Sequence, residues 1–421
     1  MGCAGSTAKQ DRRDKAGNSL SSLTDALLHA HMGDASSEEL SHFITACEKT
    51  KNRAVATRSL HLESGQSTYS SIEHLQWHLH EVDVKLLRGD FIVRLWKSGG
   101  RFTRRQELPE SAYFCGSLID VEVICVSYAW MAREHPDASG HHLSILAPLI
   151  EEFEASVKPA AVFLDYCCLF QHPRSEVENV KFKASFSAMN QLYGHQYTTL
   201  WVQSRMPADH IRSVDTSGWC FFEMTVGALG KRHHRHIDLG LLQVEHVRDF
   251  KAEVLDVCKA QRHPPLTPQR FNEELRQKVF TNKADHATVE KLYAKTFNEV
   301  LNFATVLHFG RLGWGDAQFI QVSDVLPYCA QLEELWLGYN EGLTDNAMTT
   351  IVAQLPASVR MLASEYTSVT LPARLQFAQG LRSVNDVRSF YRVEEVHAKI
   401  KRQTALKSLG IQYSPQFRIY L

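Results

Sequence analysis

The sequence predicts an α/β protein with a parallel sheet in the middle of the chain, a helical segment before it and a repeated segment after it. Three observations predict this. Apolar runs at 121–128, 160–165 and 198–202 are separated by amphipathic stretches of helix length, the spacing of βαβ units. Those runs are apolar at successive positions, not at every second one, as strands covered on both faces must be. After residue 300, leucines, aspartates and prolines recur with an offset of about 28 residues, within the range of solenoid repeats.

Composition sets the outer limits. A chain of 421 residues has room for two or three domains. With 44% hydrophobic and 22% charged residues it can bury a core of ordinary globular type. The net charge of -1 provides no global field that favours nucleic acid, and no nucleic-acid partner is expected. Nine cysteines without paired spacing read as reduced thiols of a cytosolic compartment, and the adjacent Cys167 and Cys168 read as packing. No apolar run approaches the ~18 residues of a membrane span.

The first residues change the membrane expectation. Met1-Gly2-Cys3-Ala4-Gly5-Ser6 fits the N-myristoylation pattern at Gly2, and Cys3 beside it suits palmitoylation. One acyl chain binds membranes only marginally, so a second signal matters. Cys3 and the weak basic patch Lys9, Arg12, Arg13 and Lys15 are the two candidates. The expected place of the protein is therefore the cytoplasmic face of a membrane, held by lipid.

Taken in order, residues 1–20 read as an acylated disordered tether. Residues 21–117 form a helical and mixed extension, with amphipathic patterns at Leu20, Leu23, Leu27 and Leu28 and at Leu40, Phe43, Ile44 and Cys47. The cluster His74, Trp77, His78 and His80 lacks one clean helical face and any cysteine pair, so satisfied histidines fit better than zinc, and no metal site is expected. Arg101, Arg104 and Arg105 read as a solvated or paired face more readily than as a phosphate site. The α/β domain covers 118–240. Its helices run from about 141 to 156 and 177 to 194, and a further helix follows Ser217.

A helical linker fills 241–300, with Pro268 well placed for a helix start. Across 301–380, Leu307-His308-Phe309 and Asp316 return as Leu335-Trp336-Leu337 and Asp345. The fragment Leu332 to Asn340 is close to the leucine-rich-repeat pattern, and a third unit starts near Val359 and Leu362. So few repeats need other segments to pack on, and a C-terminal cap is expected over 381–421, with a helix near 392–409 stopped by Gly410.

Functional groups collect at the carboxyl ends of parallel strands in such sheets. Two of the runs end in Ser127-Tyr128 and in Asp165. The stretch Ser217-Gly218-Trp219-Cys220-Phe221-Phe222-Glu223 opens a helix and carries one carboxylate four residues after a tryptophan. Ser127, Asp165 and Glu223 are expected on one rim of the sheet.

These residues resemble a TIR (Toll/interleukin-1 receptor) domain over roughly residues 118–240. The matching elements are Val126-Ser127-Tyr128 at the end of the first strand, Val162 to Asp165 with Leu169 beyond it, and Ser217, Trp219, Cys220 and Glu223 in the Ser-x-Trp-Cys-x-x-Glu helix start. The resemblance implies a flavodoxin-like five-stranded parallel sheet. In TIR domains that cleave NAD⁺ the glutamate of this element is catalytic, which implies Glu223 here. Beside it, Tyr128 or Trp130 would stack on a flat ring and Ser127 would bond a ribose or phosphate. Asp165 and Trp219 complete the substrate-binding set. The arginine usual directly after Tyr128 is absent, as is the glycine usual after Asp165, and Lys231 to Arg235 depart from the usual approach to the fourth strand.

Two functional readings follow. One is a membrane-tethered signalling protein that cleaves the nicotinamide–ribose bond of NAD⁺, a substrate here and not a bound cofactor. The other is a non-catalytic adaptor, in which the TIR-like domain self-associates into a homo-oligomer and the repeats hold a protein partner.

Overall fold

In a computed structural model, residues 67–207, 210, 213–242, 247, 250–255, 262–370 and 372–373 are described. The lipidation residues Gly2 and Cys3, the helices expected within 20–60 and the cap with its 392–409 helix lie outside the described residues.

The central sheet forms where the apolar runs stand. Strand β1 is Leu87–Arg88, β2 is Glu122–Tyr128, β3 is Ala160–Phe163, β4 is Thr199–Gln203 and β5 is His236–Asp238, in spatial order β1-β3-β2-β4-β5. All pairs are parallel except β1 with β3. The protein is thus α/β with a mostly parallel five-stranded sheet, compatible with a flavodoxin-like order. Every residue of β2, β3 and β4 is buried, which accounts for their largely apolar runs.

Helices cover both faces. On one lie α2 (Gly89–Lys97) and α3 (His141–Ser156), which pack on each other. On the other lie α1 (Ile72–Glu81), α5 (Glu176–Gly194) and α6 (Gly218–Ala228). Between β3 and α5 sits a single turn, α4 (Asp165–Cys168). Caps set the helix starts. Ser175 and Glu178 form a capping box on α5, and Ser217 Oγ accepts from Cys220 N on α6. Helix α3 follows Gly140, whose φ of 78° suits glycine. Asp137 caps it from a distance, accepting from His142 N and Leu143 N at 2.9 Å each.

Details differ from the sequence-based expectation. The run at 160–165 stops as a strand at Phe163, because Asp165 opens α4. The edge strand β1, antiparallel and two residues long, comes from the segment before 118. Residues 67–108 therefore share the core of the sheet, through Leu75, Leu79, Leu87 and Ile92. The unusual approach Lys231 to Arg235 still leads straight into β5. Lys231 is fully buried, and its Nζ donates to the carbonyls of His195 (2.5 Å) and Thr198 (2.8 Å).

Helices α7 (Pro268–Leu275) and α8 (Asp285–Asn302) follow, the first with Pro268 at its start and Thr267 as cap. Phe271 stacks on Tyr293 at 3.8 Å and on Phe221 of α6 at 5.0 Å.

The repeated segment forms a second parallel sheet, β6 (Val306–His308), β7 (Glu334–Trp336) and β8 (Met361–Ala363). Helices α9 (Asp316–Val325) and α10 (Asp345–Ala353) alternate with its strands. Leu307, Leu335 and Leu362 are in register and buried. The recurrent polar residues join successive units. Asn340 Nδ2 donates to the Phe309 and Leu337 carbonyls (2.8 and 2.7 Å), and its Oδ1 accepts from Leu312 N (3.0 Å) and Trp314 N (3.2 Å). Asp316 accepts from Thr344 N and Oγ1, and Asp345 accepts from Thr370 N and Oγ1. Arg311, Tyr339 and Tyr366 repeat a positive φ just past each strand. The bonds of Asp316 and Asp345 are why aspartate recurs in phase with leucine.

Candidate functional site

The parallel strands run in the order second, first, third, fourth, so the chain reverses direction between β2 and β4. Ligand crevices in open α/β sheets form outside the strand ends at such a switch point. The last paired residues there are Ser127 with Val202 and Tyr128 with Gln203. Successive strand residues face opposite sides of a sheet. Ser127 turns toward α6, and Tyr128 toward α3.

On the α6 side, Ser127 Oγ donates to Glu223 Oε2 at 2.6 Å. Ser127 is 0% exposed and Glu223 only 7%. Tyr193 of α5 donates to the Val126 carbonyl at 3.2 Å and lies within hydrogen-bonding reach of the same carboxyl. Burial pushes the Glu223 carboxyl up to about 8, and the bond from Ser127 opposes the rise while the Asp165 charge adds to it. A carboxyl so poised holds a proton near neutrality and releases it when a cation approaches.

On the α3 side, Asp165 is held by three donors: Tyr128 Oη at 2.7 Å, Trp130 Nε1 at 2.9 Å and Tyr166 N at 2.7 Å. Burial raises its pKa while these bonds act against the rise. Tyr128 meets the ring of His142 edge-on at 5.1 Å. His142 is pulled down to about 4 by burial, so it is neutral. Its Nε2 faces the Ala129 carbonyl at 3.1 Å and carries the hydrogen.

The residues thus form two bonded groups on opposite sides of the sheet, Ser127 with Glu223 and Tyr128 and Trp130 with Asp165. Trp219 does not join them. Its Nε1 donates to Asp285 of α8 at 3.0 Å, and its ring stacks on Phe186 at 5.9 Å and packs edge-on to Phe222 and Phe280. Sequence reasoning passed over Tyr193 and His142 as residues of the site. Tyr193 reads as one more apolar position of α5, and the only hint for His142 is Asp137, which has the form of a helix cap.

The arginine and histidine clusters are accounted for by pairing. Arg105 binds Asp83, and Arg104 binds Glu107. His74 Nδ1 meets Gln191 Nε2 and His78 Nε2 meets Ser187 Oγ, each at 3.0 Å, tying α1 to α5. Among the described residues no three His, Cys, Asp or Glu side chains gather as a metal site, and no helix is long and apolar enough to cross a membrane. Comparison of the chain with protein-family models, with curated proteins and with solved structures returns no match.

Proposed function

We propose that the chain is a membrane-tethered signalling protein with a TIR-like domain of flavodoxin-like fold and a short leucine-rich-repeat array, and that it cleaves the nicotinamide–ribose bond of NAD⁺. The observation that carries the reading is the buried Glu223, bonded to Ser127 at the switch point of the sheet. NAD⁺ brings a pyridinium cation, which favours ionisation of a carboxyl poised near neutrality. Glu223 gives its proton to solvent as the substrate enters. The bond between C1′ and the ring nitrogen then breaks, and its electron pair stays with nicotinamide. The oxocarbenium-like centre left on the ribose is stabilised by the Glu223 carboxylate. Water adds to C1′ and loses a proton, giving ADP-ribose. Tyr128 and Trp130 are held by Asp165 on the other side of the strand tip, and in this reading Trp130 supplies a flat ring to the substrate. Release of nicotinamide by the full-length chain, compared with Glu223→Gln, tests this.

One observation favours a second reading, the adaptor. Trp219 is committed to Asp285 and Phe186, as a packing residue of a non-catalytic domain would be. In that reading the α/β domain self-associates and the repeats bind a protein partner. In both readings acyl groups on Gly2 and Cys3 hold the protein to the cytoplasmic face of a membrane.

A further inference from the structure

Helix α6 carries Glu223 and ends beneath a buried arginine. Arg262 is 4% exposed. One of its terminal nitrogens donates to the carbonyl of Ala228, the last residue of α6, at 2.5 Å, and the other donates to the Lys231 carbonyl. Carbonyls at a helix C-terminus lack partners within the helix, and a cation there satisfies both them and the helix dipole.

The other side of Arg262 belongs to the repeats. Its carbonyl accepts from Trp314 Nε1 at 3.0 Å. Its guanidinium lies 5.3 Å from the centre of the Phe309 ring and 6.0 Å from that of Trp314. Asn340 in turn fixes the backbone of Trp314. An unbroken line of contacts therefore runs from Asn340 through Trp314 and Arg262 to the end of α6.

The helix has little room to absorb a displacement. A methyl group on Gly227 would come 2.5 Å from Leu200 Cδ2 of β4. At the other end of α6, Gly218 N donates to the Val279 carbonyl at 3.0 Å, and Val279 N donates to the Thr216 carbonyl at 2.8 Å. A helix clamped at both ends passes a shift of its C-terminus on to the bond between Ser127 and Glu223.

We infer that Arg262 is a positioning residue for Glu223, and that the repeat segment, through Trp314, uses it to hold α6 against the tip of β2. The inference rests on reading Glu223 as the working carboxylate, but its test needs no cleavage of NAD⁺.

The test follows the infrared band of the protonated Glu223 carboxyl in the full-length chain, assigned by its loss in Glu223→Gln. Trp314→Phe keeps an aromatic ring and removes the bond to Arg262, while Arg262→Met removes the guanidinium. Both variants are expected to loosen the Ser127–Glu223 bond and raise the midpoint of the carboxyl by about 0.5–1 unit, with cooperative melting retained. If Arg262→Met fails to fold, Trp314→Phe carries the test alone. A midpoint within about 0.2 unit of wild type in folded Trp314→Phe overturns the inference. A shifted midpoint in a chain that leaves NAD⁺ intact upholds the coupling and sinks the enzymatic reading instead.

Discussion

Ser127 and Glu223 stand 96 residues apart in the chain and 2.6 Å apart in space. The hydroxyl comes from the end of a buried strand and the carboxyl from the first turns of a helix, so their meeting depends on the packing of α6 on the sheet. Around them Tyr193, Cys125 and Cys220 are buried, and little water is left to solvate a charge. The elevated affinity of Glu223 for a proton is a direct consequence.

That elevation has a signature in stability. The folded chain holds the Glu223 proton up to about pH 8, whereas an unfolded glutamate releases it near ~4.3. Between these values the folded state binds more protons, so this group makes stability fall as pH rises through the window. Glu223→Gln removes that loss. The variant is expected to gain on wild type between pH 5 and 8, by ~3–5 kcal/mol at the upper end, as measured by denaturant unfolding at several pH values.

The hydroxyl of Ser127 works the other way, since its bond favours the ionised carboxyl. Ser127→Ala is expected to raise the Glu223 midpoint by about 0.5–1 unit. If the chain cleaves NAD⁺, the rising limb of kcat/KM against pH moves up by the same amount. A limb displaced downward would contradict the assigned role of this bond.

Trp219 contributes packing more than recognition. Trp219→Phe loses the bond to Asp285 and part of the stack on Phe186. The expected cost is about 1–2 kcal/mol of stability, with the KM for NAD⁺ changed less than about twofold. A large rise in KM at unchanged stability would return Trp219 to the substrate site.

Asn340 bonds five backbone groups from a fully buried position. Asn340→Ala leaves them without partners and is expected to cost about 2–4 kcal/mol, read as a lowered denaturant midpoint. A substitution without effect on that midpoint would deny the asparagine its part in joining the repeat units.

Much of this arrangement is legible in the sequence, for physical reasons that also mark the limits. Strands buried on both faces leave largely apolar runs, so β2, β3 and β4 stand out, and the polar ends of two of the runs point to Ser127 and Asp165, while Glu223 is marked by the helix start at Ser217. The repeat is legible because Asp316 and Asp345 perform the same task one unit apart. Leu87–Arg88 is not, since two residues have no period. Nor is the split of the site across the sheet: alternation puts Ser127 and Tyr128 on opposite sides, but which helices cover each side is not written in the strand. Trp219 misleads for a related reason: a tryptophan beside a functional glutamate looks the same whether it faces substrate or a neighbouring helix.

The most direct measurement is nicotinamide release from NAD⁺ by the acylated full-length chain, concentrated on lipid vesicles and compared with Glu223→Gln under the same conditions. The account predicts release by wild type and a loss of at least about 100-fold in the variant. Equal release by both proteins, or none from wild type on vesicles, would contradict it.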